Sequence, residues 1–183
     1  ATGGSCVDNV AANSGWNIFT DASGSVIFAI EPSGNNLGCI NWGVRALDNP
    51  VMRRRTNGGD PDTYLMNRNL WIEVENQPDP TDPVTLRMFA LTDEINDLLL
   101  DAQAGGYETT ATFASFLADS LRMEKFDSTV VNVDPADNVG SGGTIVAYNP
   151  GEVVYRNALH GYYLEVSITE FSEFIPYYRP EDP

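Results

Sequence analysis

Apolar and polar residues alternate with a period of two along most of this chain. Trp16-Asn17-Ile18-Phe19-Thr20 and Ser25-Val26-Ile27-Phe28-Ala29-Ile30 flank Asp21-Ala22-Ser23-Gly24, a pattern that predicts two strands joined by a four-residue hairpin loop. Glu31 to Asn36 is a run of turn formers. Beyond it, Leu37 to Leu47 sets Cys39 and Asn41 on one face and Ile40, Trp42 and Val44 on the other, a third strand. Asp48 to Thr63, with its Asn, Gly, Pro and Asp residues, reads as loop. Leu70, Ile72 and Val74 then alternate against Trp71, Glu73 and Glu75. Pro78, Pro80 and Pro83 remove ladder donors before the pattern resumes at Val84, Leu86, Met88 and Ala90. Leu121 to Phe126, Thr144 to Tyr148, Glu152 to Arg156 and Tyr162 to Thr169 complete the strands, with Phe171 to Tyr178 extending the last.

The period changes at Thr92. Its hydroxyl can cap a helix that opens with Asp93 and Glu94, acids favoured by the helix dipole. Ile95, Leu98, Leu99 and Ala102 follow helical spacing until Gly105-Gly106, which predicts a helix over 92–103. A second helix is expected over 110–118, burying Phe113, Phe116 and Leu117. Eight or nine short strands with one or two inserted helices predict a mainly β fold, an antiparallel β-sandwich. No break in charge or hydrophobicity divides the chain, so residues 1–183 read as one domain, with 177–183 as an outgoing linker.

Charge narrows the partners. Ten Lys plus Arg against 26 Asp plus Glu give a net charge of −16, which repels a phosphate backbone and anionic lipid. No apolar run is long enough to cross a bilayer as a helix. Nucleic acid and membrane insertion are therefore not expected. The chain starts at Ala1 without a Met and so reads as a processed or excised product. Its single Lys, acidic balance and many Gly, Asn and Pro residues look extracellular. In that setting Cys6 and Cys39 are expected to form a disulfide, a bridge contributing roughly 3 to 4 kcal/mol in the chain-entropy model. The alternative is a pair of buried thiols.

Catalytic signatures are sparse. Any Ser-His-Asp or Cys-His arrangement must use the one histidine, His160, which stands in Asn157-Ala158-Leu159-His160-Gly161 with no nucleophile motif beside it and reads as a turn residue. Phosphate-loop and dinucleotide fingerprints are absent, so the chain is expected not to be an enzyme. Calcium is the cofactor the acidic loops suit chemically: Asn57, Asp60 and Asp62, or Asp134, Asp137 and Asn138, group oxygen donors without the EF-hand spacing. Solvated loop acids are the plainer reading of both groups. Arg53-Arg54-Arg55 is the one basic cluster and suits docking to an acidic patch on a neighbouring copy or module. Trp16, Trp42, Trp71, Tyr162-Tyr163 and Tyr177-Tyr178 supply aromatics that either build a sugar-stacking platform or fill the core.

Five segments in order carry a family resemblance. They are Trp16-Asn17-Ile18-Phe19 with Ile27 through Gly38, Tyr64-Leu65-Met66-Asn67-Arg68-Asn69, Pro83 through Phe89, and Tyr163 through Phe174 with its Thr169-Glu170-Phe171-Ser172-Glu173-Phe174 end. Together they resemble a β-sandwich module of very large secreted and surface proteins of Bacteroidota, often exported by the type IX pathway. The resemblance spans about Trp16 to Phe174; Asp127 to Pro150 departs from it as a long insert. It implies a non-catalytic structural or adhesion module at the cell surface, contacting neighbouring modules or copies, with cell-surface glycans as a further partner. The alternative is a carbohydrate-binding module appended to a secreted enzyme. Arg68 and Arg87 stand inside strand patterns and need acidic partners wherever they are buried.

Overall fold

A computed structural model describes residues 8–46, 51–53, 63–106, 112–117, 121–127, 144–148, 152–156 and 161–178. In chain order they form β1 (Asp8–Val10), β2 (Asn17–Thr20), β3 (Val26–Glu31), β4 (Gly38–Ala46), β5 (Val51–Arg53), β6 (Thr63–Leu65), β7 (Arg68–Val74) and β8 (Val84–Leu91). Then come α1 (Thr92–Ala104), α2 (Phe113–Ser115), β9 (Leu121–Asp127), β10 (Thr144–Tyr148), β11 (Glu152–Arg156), β12 (Gly161–Ile168) and β13 (Glu173–Tyr178). The fold is mainly β, with two antiparallel sheets of eight and five strands, as the alternation predicts for a β-sandwich. The chain divides into two compact units, each assembled from three separate stretches.

The first unit comprises 1–43, 71–91 and 150–172. Its five-stranded sheet has the order β11-β12-β8-β3-β2. In register, Leu164 faces Met88, Val166 faces Leu86 and Ile168 faces Val84, and Phe28 and Ile30 of β3 join the same side. All of these are buried. Phe19 and Phe28 stack at 4.2 Å, and Trp42 of β4 meets them edge-on at 6.3 and 5.3 Å, so this aromatic trio seats β4 on the five-stranded sheet. Burial of one such ring stabilises by roughly 1.5 to 3 kcal/mol.

Loops in this unit are fixed by side chains. Asn35 donates to the carbonyls of Pro32 and Asp82 and accepts from the Asp79 amide, clamping two turns together. Gly43 lies under the Trp71 indole, 2.6 Å from where a Cβ would stand, so only a glycine lets that ring lie across β4.

The second unit comprises 44–70, 92–149 and 173–183. Here β13 pairs with β6 on one side and β9 on the other; β5 lies outside β6 and β10 outside β9. Pro176 sits within β13 although proline cannot complete a ladder. Its carbonyl accepts from the Met66 amide at 2.9 Å, so the missing N–H points at Met66 and Asn67, where β6 has ended and β7 has not begun. Helix α1 packs on β13 and β6 and buries Ile95, Leu98, Leu99 and Ala102 as its spacing predicts. It stops where Gly105 and Gly106 donate to the carbonyls of Asp101 and Gln103, with Gly106 at φ 77°.

Several sequence expectations need correction. The segment read as loop from Asp48 to Thr63 contains β5, a three-residue strand too short for alternation to reveal, and β1 and β6 escape notice for the same reason. Phe171 to Tyr178 does not prolong β12: the chain bends at Thr169 and Glu170 and enters the other sheet as β13. Tyr177 and Tyr178, expected to open a linker, are buried at 2% and 1% exposure in β13, and residues 179–183 lie outside the described residues. The second helix starts at Phe113 rather than at 110, and residue 118 lies outside the described residues. Thr112 caps it reciprocally with Ser115, and Phe116 is buried against Tyr178 at 5.3 Å.

Candidate functional site

On the first unit, the side of the five-stranded sheet turned away from Trp42 carries polar chemistry. Register sets Arg87 of β8 between Ala29 of β3 and Glu165 of β12. Arg87 Nε donates to Glu165 Oε2 at 2.7 Å. The guanidinium carbon lies 3.8 Å from the centre of the Trp16 ring and 4.4 Å from that of Tyr163, so a planar cation is held between two aromatic faces. Ala29, the β3 neighbour of Arg87, is 3% exposed. Tyr163 is itself buried and meets Phe89 edge-on at 5.7 Å. The Arg87 and Glu165 side chains stay 25% and 26% exposed, so the stack faces solvent at its rim.

The second unit holds a different polar cluster, inside the protein. Arg68 pairs with Glu94 of α1 at 3.4 Å, the side chains 11% and 18% exposed. Burial pushes the Arg68 guanidinium below its ordinary value, and the Glu94 charge opposes that shift. Asn69 donates to Glu173 across to β13 at 3.4 Å, both residues buried. Glu124 and Lys125 of β9 are buried as well. The Arg68–Glu94 and Asn69–Glu173 contacts tie β7 to α1 and to β13. Both arginines that sequence placed inside strands thus have the acidic partners that burial demands.

Other expected site residues fare differently. Cys39 is half-buried on β4; Cys6, the other cysteine of the chain and its expected disulfide partner, lies outside the described residues. Arg53 belongs to β5 by its backbone, while Arg54 and Arg55 lie outside the described residues. So do His160 and all six oxygen-donor residues considered for calcium, Asn57, Asp60, Asp62, Asp134, Asp137 and Asn138. Among the described residues no three His, Cys, Asp or Glu side chains group to hold a metal, and no helix is long and apolar enough to cross a membrane.

Most of the aromatics are absorbed by packing. Trp42 belongs to the core trio, Trp71 lies over Gly43, and Tyr163, Tyr177 and Tyr178 are buried. The Tyr177-Tyr178 pair therefore makes no exposed platform. Sequence reasoning did not assemble the Trp16–Arg87–Tyr163–Glu165 stack, because its members are scattered over 150 positions and only strand register joins them. No known family model, curated protein or solved structure matches this chain.

Proposed function

We propose that this chain is a non-catalytic module of a large extracellular surface or filament-forming protein, acting through contacts with neighbouring copies. The carrying observation is the edge of the five-stranded sheet. β2 terminates that sheet, with β3 as its one described strand neighbour, and presents Ile18 at 64% exposure. An edge strand offers unpaired backbone groups to a second chain, and an exposed isoleucine gives that encounter an apolar anchor. A register shift between Phe19 and Thr20 interrupts the edge, which limits open-ended strand addition and suits a bounded contact.

Three further features support the reading. The five ordered segments resemble type IX-exported modules, the net charge of −16 keeps such a domain soluble, and the Arg53–Arg55 run gives an acidic neighbour something to dock on. The test is a photoactivatable residue at position 18. Covalent dimers that map to one surface of the second copy are expected; a variant that cross-links to nothing at any concentration contradicts the proposal.

A further inference from the structure

We infer that the Trp16–Arg87–Glu165 stack is a binding subsite for one ring of a neutral sugar. The subsite goes beyond the copy-to-copy contact proposed above and stands or falls separately from it. Arg87 spends Nε on Glu165 and its flat faces on Trp16 and Tyr163. Its two terminal nitrogens make no hydrogen bond with the described residues, and neither does Trp16 Nε1 or Glu165 Oε1. The protein thus holds a two-pronged donor against the face of the Trp16 ring and paired to a carboxylate acceptor, with Arg87, Glu165 and Trp16 all partly exposed.

Adjacent hydroxyls on a pyranose both donate and accept, which is the complement of that set. The sugar's apolar C–H face suits the half-exposed Trp16 ring, of which Arg87 covers only one side. Charge decides against an anionic ligand. Glu165 already neutralises Arg87, Glu31 stands on the same sheet face opposite Thr85, the neighbouring outward position on β8, and the whole chain carries −16. A carboxylate or phosphate approaches this rim against a negative field. Rigidity favours binding as well, because a guanidinium already clamped by two rings loses little freedom when a ligand arrives.

The experiment titrates the full chain with cellohexaose, mannohexaose and maltohexaose, and with hexagalacturonate as the anionic control, following the Trp16 Nε1–H and Arg87 Nε–H signals by NMR. At least one neutral hexasaccharide is expected to shift both signals saturably, and hexagalacturonate to leave them unmoved. Arg87→Lys keeps the charge but loses the fork, so it weakens binding about tenfold. Glu165→Gln retains an acceptor and gives a smaller loss. No shift with any neutral hexasaccharide, a response to hexagalacturonate alone, or unchanged affinity in folded Arg87→Lys overturns the subsite. The cross-linking result at position 18 is untouched by any of these outcomes.

Discussion

Replacing Arg87 separates the forces that hold the outer face of the five-stranded sheet. The pair with Glu165 is short at 2.7 Å but about a quarter exposed on each side, so solvent screening limits it to about 0.5 to 1 kcal/mol. Two cation–π contacts, at 3.8 and 4.4 Å, add about 0.5 to 1 kcal/mol each. Arg87→Met keeps a comparable stem and loses all three, which predicts a destabilisation of about 1.5 to 3 kcal/mol. Arg87→Lys keeps the charge, part of the pairing and a weaker stack, and is expected to lose about 1 kcal/mol. Urea unfolding at neutral pH, followed by tryptophan fluorescence, measures both values. The midpoint should fall in the order wild type, Lys, Met, with the slope unchanged. Equal midpoints for all three proteins refute the reasoning, because the stack would then be an incidental surface contact.

Four further outcomes follow from the geometry. Arg68→Ala removes the largely buried ion pair to Glu94 and should cost about 2 to 4 kcal/mol, somewhat below a fully buried pair because Glu94 keeps some exposure; Arg68→Ala/Glu94→Gln should recover part of that loss in the same urea assay. Gly161→Ala drives a methyl into the Ala90 carbonyl oxygen, so β12 must shift against β8, lowering the unfolding midpoint by an amount equivalent to about 1 to 3 kcal/mol. The proposed Cys6–Cys39 bridge predicts that intact mass rises by about two hydrogens on reduction, with stability falling by about 3 kcal/mol; an unchanged mass excludes that pairing. Asp21 is held below its ordinary value of 3.8 first by the Ser23 hydroxyl and then by the Ser25 amide, and Asp79 by the amide and hydroxyl of Thr81. Their folded values lie below the unfolded ones, so their stabilising effect is present above about pH 4 and fades as pH falls through the lowered values. Ser23, Ser25 and Thr81 amide signals should therefore titrate with midpoints below 3.8, and midpoints at or above that value contradict the assignment.

Much of this architecture is written locally. The β2–β3 hairpin, β4, β8 and α1 emerge from alternation and helical spacing because each has a buried face long enough to repeat. β1, β5 and β6 have three residues each, fewer than a period needs. Pro176 argues against a central strand, and the objection dissolves only when the gap after Leu65 is seen facing it. The same limit applies to the candidate site. Arg87 in a strand announces the need for a carboxylate, but Glu165 as the partner, Trp16 as the ring over the guanidinium and the small Ala29 on its other side depend on register across three strands. Tyr177 and Tyr178 look like linker beside Pro180 and Pro183, yet they are buried in a strand pairing with β6 and β9.

Sedimentation equilibrium of the wild-type chain beside Ile18→Lys bears most directly on the contact role. The account predicts that the average mass of the wild type climbs above that of a monomer as concentration rises, while a lysine on the β2 edge keeps the variant monomeric. A wild type that stays monomeric throughout, or a variant that associates equally well, contradicts it.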